Sequence, residues 1–207
     1  MSLSLGPKPH FLSAWLRNPL QVGAVLPSSN ALARAMAARV PLGSGLTVEL
    51  GAGTGAVTGA LLARGVRPDH LIAVEKDIKL AAQLARRFPG LQVLAGDAAH
   101  LRPLLGIAHT ATVDSVVSSL PLLSMRTFTR TRILAEIVEV LVPDGCLVQF
   151  TYSPKPPIPA SLAEALGVSG ERVSRVLRNV PPANVWVYTK QARVDRSPLR
   201  GGANGEN

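Results

Sequence analysis

A glycine-rich segment between an apolar stretch and a helical one constrains the fold of this chain more than any other feature. Leu46–Leu50 reads as a buried strand, Gly51-Ala52-Gly53-Thr54-Gly55 follows it, and Ala56–Arg64 has the spacing of a helix. A glycine loop between a strand and a helix lets the backbone approach a ligand closely. We therefore expect a ligand site at the carboxyl end of the first strand, as in open α/β sheets.

The same alternation continues along the chain. Strands are predicted over 71–74, 91–94, 113–117 and 146–152, with helices over 78–88 and 127–141 and a turn at Pro143-Asp144-Gly145. Strands that alternate with helices predict a parallel sheet. Two further strands, 172–177 and 184–189, are joined by a short loop and predict an antiparallel pair. The expected fold is an α/β, Rossmann-like sheet, mostly parallel, with a closing antiparallel pair.

Three regions are expected from the sequence. Residues 1–41 form an N-terminal helical extension, with one helix over His10–Asn18 and a second from Pro27-Ser28-Ser29-Asn30 through Ala31–Val40. In the second helix Leu32 and Met36 are expected to face inward and Arg34 outward. Residues 42–192 form the Rossmann-like domain, and the glycine-rich residues 193–207 are expected to be a disordered tail.

Charge and composition narrow the function classes. The net charge of +9 implies an anionic partner, either nucleic acid or an anionic membrane surface. The aromatic content of 4% offers few rings for stacking on bases, which makes nucleic acid the weaker expectation. The only cysteine, Cys146, lies in an apolar run and excludes a disulfide framework or a Cys-rich metal site, so no metal is expected. Without a signal peptide or a long apolar span, the expected location is cytoplasmic.

Acidic residues stand at the ends of the first three predicted strands. Glu49 precedes the glycines, where a pyrophosphate would be repelled but an ammonium group would be bound. Glu75 is placed to accept hydrogen bonds from both hydroxyls of a ribose. Asp97, in Gly96-Asp97-Ala98, can accept from an exocyclic amine of adenine while the next amide contacts the ring.

This set of motifs resembles the class I S-adenosylmethionine-dependent methyltransferases over roughly Leu46 to Thr189. The resemblance implies S-adenosylmethionine as cofactor and S-adenosylhomocysteine as product. The cofactor-binding residues expected on this basis are Glu49, Gly51, Gly53, Gly55, Glu75, Lys76, Asp97, Ala98 and Ser118, with Ser28 and Ser29 at the start of the second helix.

The end of the fourth strand bears on the substrate. Enzymes that methylate the exocyclic nitrogen of adenine or cytosine carry Asn or Asp, then Pro, then an aromatic residue there, and the ring stacks on the flipped base. This chain has Ser119 and Leu122 at the corresponding positions of Ser118-Ser119-Leu120-Pro121-Leu122. It resembles rRNA adenine dimethyltransferases in its first motifs and departs from them here, so RNA methylation remains the alternative function.

Residues 11–19 and 22–29 are similar to the start of bacterial phospholipid N-methyltransferases, as are Ser-Ser-Leu-Pro after the fourth strand and Gln149–Pro154 at the fifth. This resemblance covers nearly the whole chain. It implies methylation of phosphatidylethanolamine, successively to phosphatidylcholine, by a peripheral enzyme on the inner face of the cytoplasmic membrane.

The first helix agrees with a membrane role. Apolar residues four apart form a stripe with cationic flanks, which describes an interfacial helix that binds an anionic surface. The same stripe could instead pack on the domain's own sheet. The expected membrane-binding residues are Lys8, Phe11, Leu12, Trp15, Leu16 and Arg17, with Arg34 and Arg39 further along.

The implied substrate determines which catalytic residues are needed. Its amine is an ammonium at neutral pH and must lose a proton to an acceptor before it reacts. Tyr152, which could also hold the cation, and His10 are the candidates for this role, although water is a further one. Ser118 and Leu120 are expected to contribute backbone carbonyls to the amine pocket. Lys155 and Arg178, or the helix start at Ser28 and Ser29, are candidates for binding the lipid phosphate. The oligomeric state is left open.

Overall fold

The apolar stretches of the sequence form one seven-stranded sheet. The computed structural model describes residues 27–43, 45–106, 112–179 and 181–192, and the side chains from residue 30 onward within them. The predicted helix His10–Asn18 and the tail 193–207 lie outside the described residues. The strands are β1 (Leu46–Leu50), β2 (Leu71–Glu75), β3 (Gln92–Ala95), β4 (Val113–Ser118), β5 (Leu141–Thr151), β6 (Val168–Val176) and β7 (Ala183–Lys190).

The order of the strands confirms the predicted Rossmann-like sheet. It is β3-β2-β1-β4-β5-β7-β6, and β1 to β5 are parallel. Strand β7 is antiparallel to both β5 and β6, which is the predicted closing pair. Strands β1 to β6 therefore all end at the same edge of the sheet, which we call the carboxyl edge.

Helices cover both faces of the sheet, because most buried strands carry apolar side chains on both sides. One core forms between the sheet and α1 (Pro27–Ala37), α2 (Ala56–Arg64) and α3 (Ile78–Arg87). The other forms between the sheet and α4 (Leu101–Leu105), α5 (Thr127–Val140) and α6 (Ala160–Ala165).

Helix α1 packs on the domain although it falls in the region predicted as an N-terminal extension. Leu32 and Met36 are buried and Arg34 is exposed, as its apolar spacing predicts. Its buried face joins the same core as α2 and α3. The helix therefore stabilises the sheet on the side that carries the glycine loop.

Local signals explain where the neighbouring helices begin and end. Asp77 caps α3, since its side chain accepts hydrogen bonds from the amides of Lys79 and Leu80. Helix α2 ends at Gly65, whose φ of 108° lets its amide return to the carbonyl oxygens of the last turn.

The structure differs from the sequence prediction at several elements. Pro143–Gly145, predicted as a turn before the fifth strand, is an irregular bulge inside β5, between the pairs Val113–Leu141 and Ser115–Cys146. Strand β3 lies one residue later than predicted, and β6 begins four residues earlier, at Val168. Helices α4 and α6 were not predicted, since each has only five or six residues and lies within or after a proline-containing segment.

We expect Met36→Ala to lower the free energy of unfolding by about 2–5 kcal/mol, because the fully buried side chain would leave a cavity in the core. Urea denaturation followed by circular dichroism measures the change. Arg34→Ala on the exposed face of the same helix is the matched control and should change stability by less than about 0.5 kcal/mol. Equal stabilities for the two variants would contradict the packing of α1 on the domain.

Candidate active site

The glycine loop lies at the carboxyl edge, directly after β1. Gly51, Gly53 and Gly55 have φ values of 71°, 53° and 83°, a left-handed backbone that other residues rarely adopt. A Cβ at Gly51 would also lie 2.9 Å from Cδ2 of Leu120. The left-handed backbone favours glycine at position 51, and the loop lies against the Leu120 side chain in the segment that follows β4.

Glu75, at the end of β2, is oriented by backbone amides. The Gly53 amide donates to Oε2 at 2.8 Å, and the Asp77 amide donates to Oε1 at 2.9 Å. Each oxygen keeps a further lone pair, so the carboxylate can still accept hydrogen bonds from two hydroxyls. This geometry suits the ribose-binding role expected of Glu75.

Asp97 follows β3 and stands beside Lys76. Its Oδ2 accepts from Nζ of Lys76 at 2.7 Å, and its Oδ1 accepts from the Ala99 amide at 2.9 Å. These contacts, that of Lys76 first, lower the pKa of the Asp97 carboxyl, which is therefore ionised and able to accept from an amine. Lys76 reaches this carboxylate, and Ala98 begins the short turn that follows.

Glu49 is fully buried beneath the loop. The Thr58 hydroxyl donates to its Oε2 at 2.6 Å, whereas its Oε1 has no hydrogen-bond partner. Loss of hydration raises the pKa of the carboxyl to about 8. A buried oxygen without a partner is costly, and an ammonium group on a ligand would pair with it once the carboxyl has lost its proton. The residues present thus fit a cofactor that carries an ammonium group, two ribose hydroxyls and an adenine.

A pocket of about 170 Å³ adjoins the glycine loop where β4 and β5 end. Its walls are mainly apolar, with hydroxyl groups at a few positions. Leu120 belongs to the pocket and also faces Gly51, so the pocket and the cofactor loop share this side chain. The lining residues are Leu120, Pro121, Leu122, Leu123, Ser124, Phe150, Thr151, Tyr152, Ser153 and Pro157.

Two aromatic rings stand in this pocket. Phe150 and Tyr152 contact each other edge to face, with centroids 5.3 Å apart. Burial raises the pKa of the Tyr152 hydroxyl, and a hydrogen bond with Asn179 offsets this only in part. The phenol is therefore neutral at physiological pH, a state that suits holding a cation against the ring better than removing a proton.

Gln149 holds a segment that lines the pocket, although the sequence prediction did not single this residue out. It is fully buried, and its Nε2 donates to the carbonyl oxygens of Leu120 and Phe150, both at 2.9 Å. The side chain thereby ties the segment after β4 to the end of β5. A polar residue in the apolar run Cys146–Phe150 was the signal that could have identified it.

The sequence predicts that the backbone carbonyls of Ser118 and Leu120 contribute to the amine pocket. The structure does not support this role for the carbonyl of Leu120. The Leu120 carbonyl accepts from Gln149 and from the Leu122 amide, so both of its lone pairs are occupied and it cannot also accept from a substrate amine. Ser118 is fully buried, and its hydroxyl accepts from the Leu120 amide at 3.3 Å.

The remaining predicted residues are spread more widely. Lys155 and Arg178 are exposed at the carboxyl edge, outside the residues that line the pocket. Ser28 and Ser29 lie in the first turn of α1, where their side chains are outside the described part of the structure. Lys8, His10, Phe11, Leu12, Trp15, Leu16 and Arg17 also lie outside the described residues.

The described residues include neither a candidate metal site nor a candidate membrane-spanning helix. No group of acidic, histidine or cysteine side chains within this part of the chain could hold a metal ion. None of its helices has the length and apolarity needed to cross a bilayer.

Known proteins share both the fold and the sequence motifs. The model of a family described as a methyltransferase domain matches residues 48–145. An ornithine lipid N-methyltransferase of Singulisphaera acidiphila is 32% identical over 149 residues, 70% of this chain and 77% of that enzyme. A ribosomal RNA small subunit methyltransferase A of Bradyrhizobium is 41% identical over 98 residues, but this chain covers only 32% of its length.

Among solved structures, a Burkholderia thailandensis 1,6-didemethyltoxoflavin-N1-methyltransferase with bound S-adenosylhomocysteine shares the fold. Its TM-score is 0.60 at 20% identity, over 93% of this chain and 94% of that one. Together with the glycine loop and the strand-end acids, these similarities identify the class of the protein. The chain belongs to the class I S-adenosylmethionine-dependent methyltransferases, and S-adenosylmethionine is its cofactor.

The state of Glu49 gives a testable pH dependence. Its folded pKa of about 8 lies above the ordinary value of 4.5, so the folded protein holds a proton that the unfolded chain releases between these values. Stability without cofactor should fall as pH rises through this window, by up to about 1.4 kcal/mol per pH unit.

Urea denaturation at pH 6, 7 and 8 measures this slope, and Glu49→Gln is the matched control because it has no proton to lose. We expect the wild-type protein to lose stability relative to Glu49→Gln as pH rises. Parallel pH profiles for the two proteins would show that Glu49 is already ionised in the folded state.

Proposed function

We propose that the protein methylates the primary amine of a membrane lipid, with phosphatidylethanolamine as substrate and phosphatidylcholine as the product of successive transfers. The observation that carries this proposal is the small apolar pocket, with its two aromatic rings, beside the cofactor loop. The sequence similarity to an ornithine lipid N-methyltransferase supports the same substrate class.

The size and walls of the pocket favour a small cationic headgroup. Pockets for drug-sized molecules have volumes of about 300–1,000 Å³, whereas this pocket has about 170 Å³. An ethanolamine group is short enough for such a space. The faces of Phe150 and Tyr152 can attract its ammonium, and the apolar walls formed by Leu120 and Leu122 exclude water.

The loop after β4 counts against the alternative of RNA base methylation. Leu122 stands where base-methylating enzymes carry an aromatic ring, and it is buried in the core. No ring of this loop is therefore available to stack on a flipped base. Similarity to the RNA enzymes is also partial, since the Bradyrhizobium match covers 44% of this chain.

The residues of the chain would act mainly by positioning. S-adenosylmethionine supplies an activated methyl group, and Glu49, Glu75 and Asp97 are the residues that would hold it. The pocket orients the amine near the glycine loop, which is the contribution expected when the donor is already activated.

The substrate ammonium must lose a proton to an acceptor before its nitrogen can attack the methyl group. For an amine with a pKa near 10.4, exposing the lone pair at pH 7 costs roughly 4–5 kcal/mol. Because Tyr152 is a neutral phenol, we propose that it stabilises the cation and that the proton leaves to water at the pocket mouth. His10 remains a sequence-based candidate outside the described residues.

We also propose that the enzyme is peripheral on the inner face of the cytoplasmic membrane. The apolar stripe of Phe11, Leu12, Trp15 and Leu16, with Lys8 and Arg17 beside it, supports attachment to an anionic surface. The net charge of +9 supports the same partner.

The direct test uses the full chain and cofactor labelled in the methyl group. Vesicles of phosphatidylethanolamine, vesicles containing an ornithine lipid, and RNA are offered separately, and the products are extracted into organic solvent. We expect label in the lipid fraction from phosphatidylethanolamine. If only the ornithine lipid is labelled, that lipid and not phosphatidylethanolamine is the substrate. If only RNA is labelled, methylation of either lipid is contradicted.

The role of Tyr152 predicts different effects for two substitutions. Tyr152→Phe keeps the ring and should retain kcat/KM for the lipid within about threefold. Tyr152→Ala removes it and should lower kcat/KM by more than Tyr152→Phe does, up to about thirtyfold, since a cation held against a ring gains about 0.5–2 kcal/mol. Steady-state kinetics on mixed lipid–detergent micelles gives both values. Equal losses in the two variants would instead make the hydroxyl the essential group.

A further inference from the structure

The exposed large apolar side chains of the described residues are concentrated at one edge of the sheet. Phe128, Leu177 and Leu123, with exposures of 78%, 68% and 40%, follow the ends of β4 and β6. Ile78 follows β2, and only Leu42 precedes β1 at the opposite edge. Exposed apolar residues scattered over a surface need no explanation, but a group of them beside a pocket indicates a contact surface.

These residues lie close to the pocket mouth. Leu123 lines the pocket, and Phe128 is four residues beyond the lining residue Ser124, a span of at most about 14 Å. Leu177 is two residues from Asn179, whose side chain hydrogen-bonds with Tyr152 in the pocket. We call the segments that surround the mouth, residues 119–128, 152–159 and 177–179, the rim.

The charge of the rim has one sign. It carries three cations, Arg126, Lys155 and Arg178, and no carboxylate. All three are exposed, and none of them takes part in the ion pairs formed among the described residues. A bilayer of anionic lipids has an apolar interior beneath a layer of negatively charged headgroups. The exposed apolar side chains and the cations of the rim are complementary to these two layers.

We infer that the rim is a second membrane-docking surface, which seats the pocket mouth on an anionic phospholipid bilayer by inserting Phe128 and Leu177 between headgroups. This inference rests on the proposed function, because a lipid amine can enter the pocket only if the mouth faces the bilayer. The charge complementarity of the rim favours a bilayer over a protein partner. The segment predicted from the sequence as an amphipathic helix, His10–Asn18, would hold the protein at the membrane, and the rim would set its orientation.

The test places an environment-sensitive fluorophore on the full chain. Phe128→Cys and Leu177→Cys carry the label on the rim, and Leu42→Cys is the matched control at the opposite edge. The native Cys146 does not compete for the label, because it is buried and burial raises its thiol pKa to about 11. Vesicles of phosphatidylglycerol and phosphatidylcholine in equal parts are added at constant protein concentration.

We expect a blue shift of the label at positions 128 and 177 and none at position 42. Phe128→Glu combined with Leu177→Glu should also weaken vesicle binding at least tenfold, while Leu42→Glu leaves it unchanged and all variants keep their affinity for cofactor. Labels at 128 and 177 that stay in water while the protein sediments with vesicles would overturn the inference. A blue shift that appears without vesicles and grows with protein concentration would also overturn it, because the rim would then bind a second copy of the protein.

A soluble short-chain phosphatidylethanolamine separates this inference from the proposed function. If the protein methylates the monomeric lipid but the rim labels stay in water, docking through the rim is wrong and the function stands. If the labels shift but no aminolipid is methylated, the docking surface stands and the function is wrong.

Discussion

The hydrogen bond from the Gly53 amide to Glu75 joins the ends of the first two strands, and the cofactor site depends on it. A glycine loop with left-handed backbone angles is flexible when free. Here its amide orients a carboxylate, and the carboxylate in turn restrains the loop. Beneath it, Glu49 is buried with one oxygen unsatisfied, an unfavourable state that binding of the cofactor's ammonium would relieve. The protein without cofactor is thus destabilised at the position where the ligand binds.

Leu120 couples this cofactor loop to the neighbouring pocket, which we propose binds the substrate. Its side chain faces Gly51 and lines the pocket, and its carbonyl is held by Gln149 from the neighbouring strand. A shift in either strand end would therefore move the wall between donor and acceptor. Precise placement of this wall is the main catalytic contribution that the protein can make when the transferred group is already activated.

Much of the fold followed from the sequence, because strand, glycine loop and helix alternate with clear periodicity and strand-end acids mark the site. The bulge at Asp144 could not be predicted from the sequence. Its φ of 62° inside a strand depends on how β5 pairs with β4. The roles of Gln149 and Asn179 depend on contacts between distant segments, which spacing along the chain does not express. Likewise, Phe128 and Leu177 are distant in the sequence, and they are exposed at the same edge of the sheet only because β4 and β6 both end there.

We propose that this protein methylates a membrane lipid at its amine. The most direct measurement expresses the full chain in a bacterium whose membranes contain phosphatidylethanolamine but no methylated derivatives, and analyses the extracted lipids by mass spectrometry. The account predicts phosphatidylethanolamine heavier by one, two and three methyl groups, and none in cells that express Gly51→Val, which fills the space between the loop and Leu120. An unchanged lipid profile from cells that contain the folded, cofactor-binding protein would contradict it.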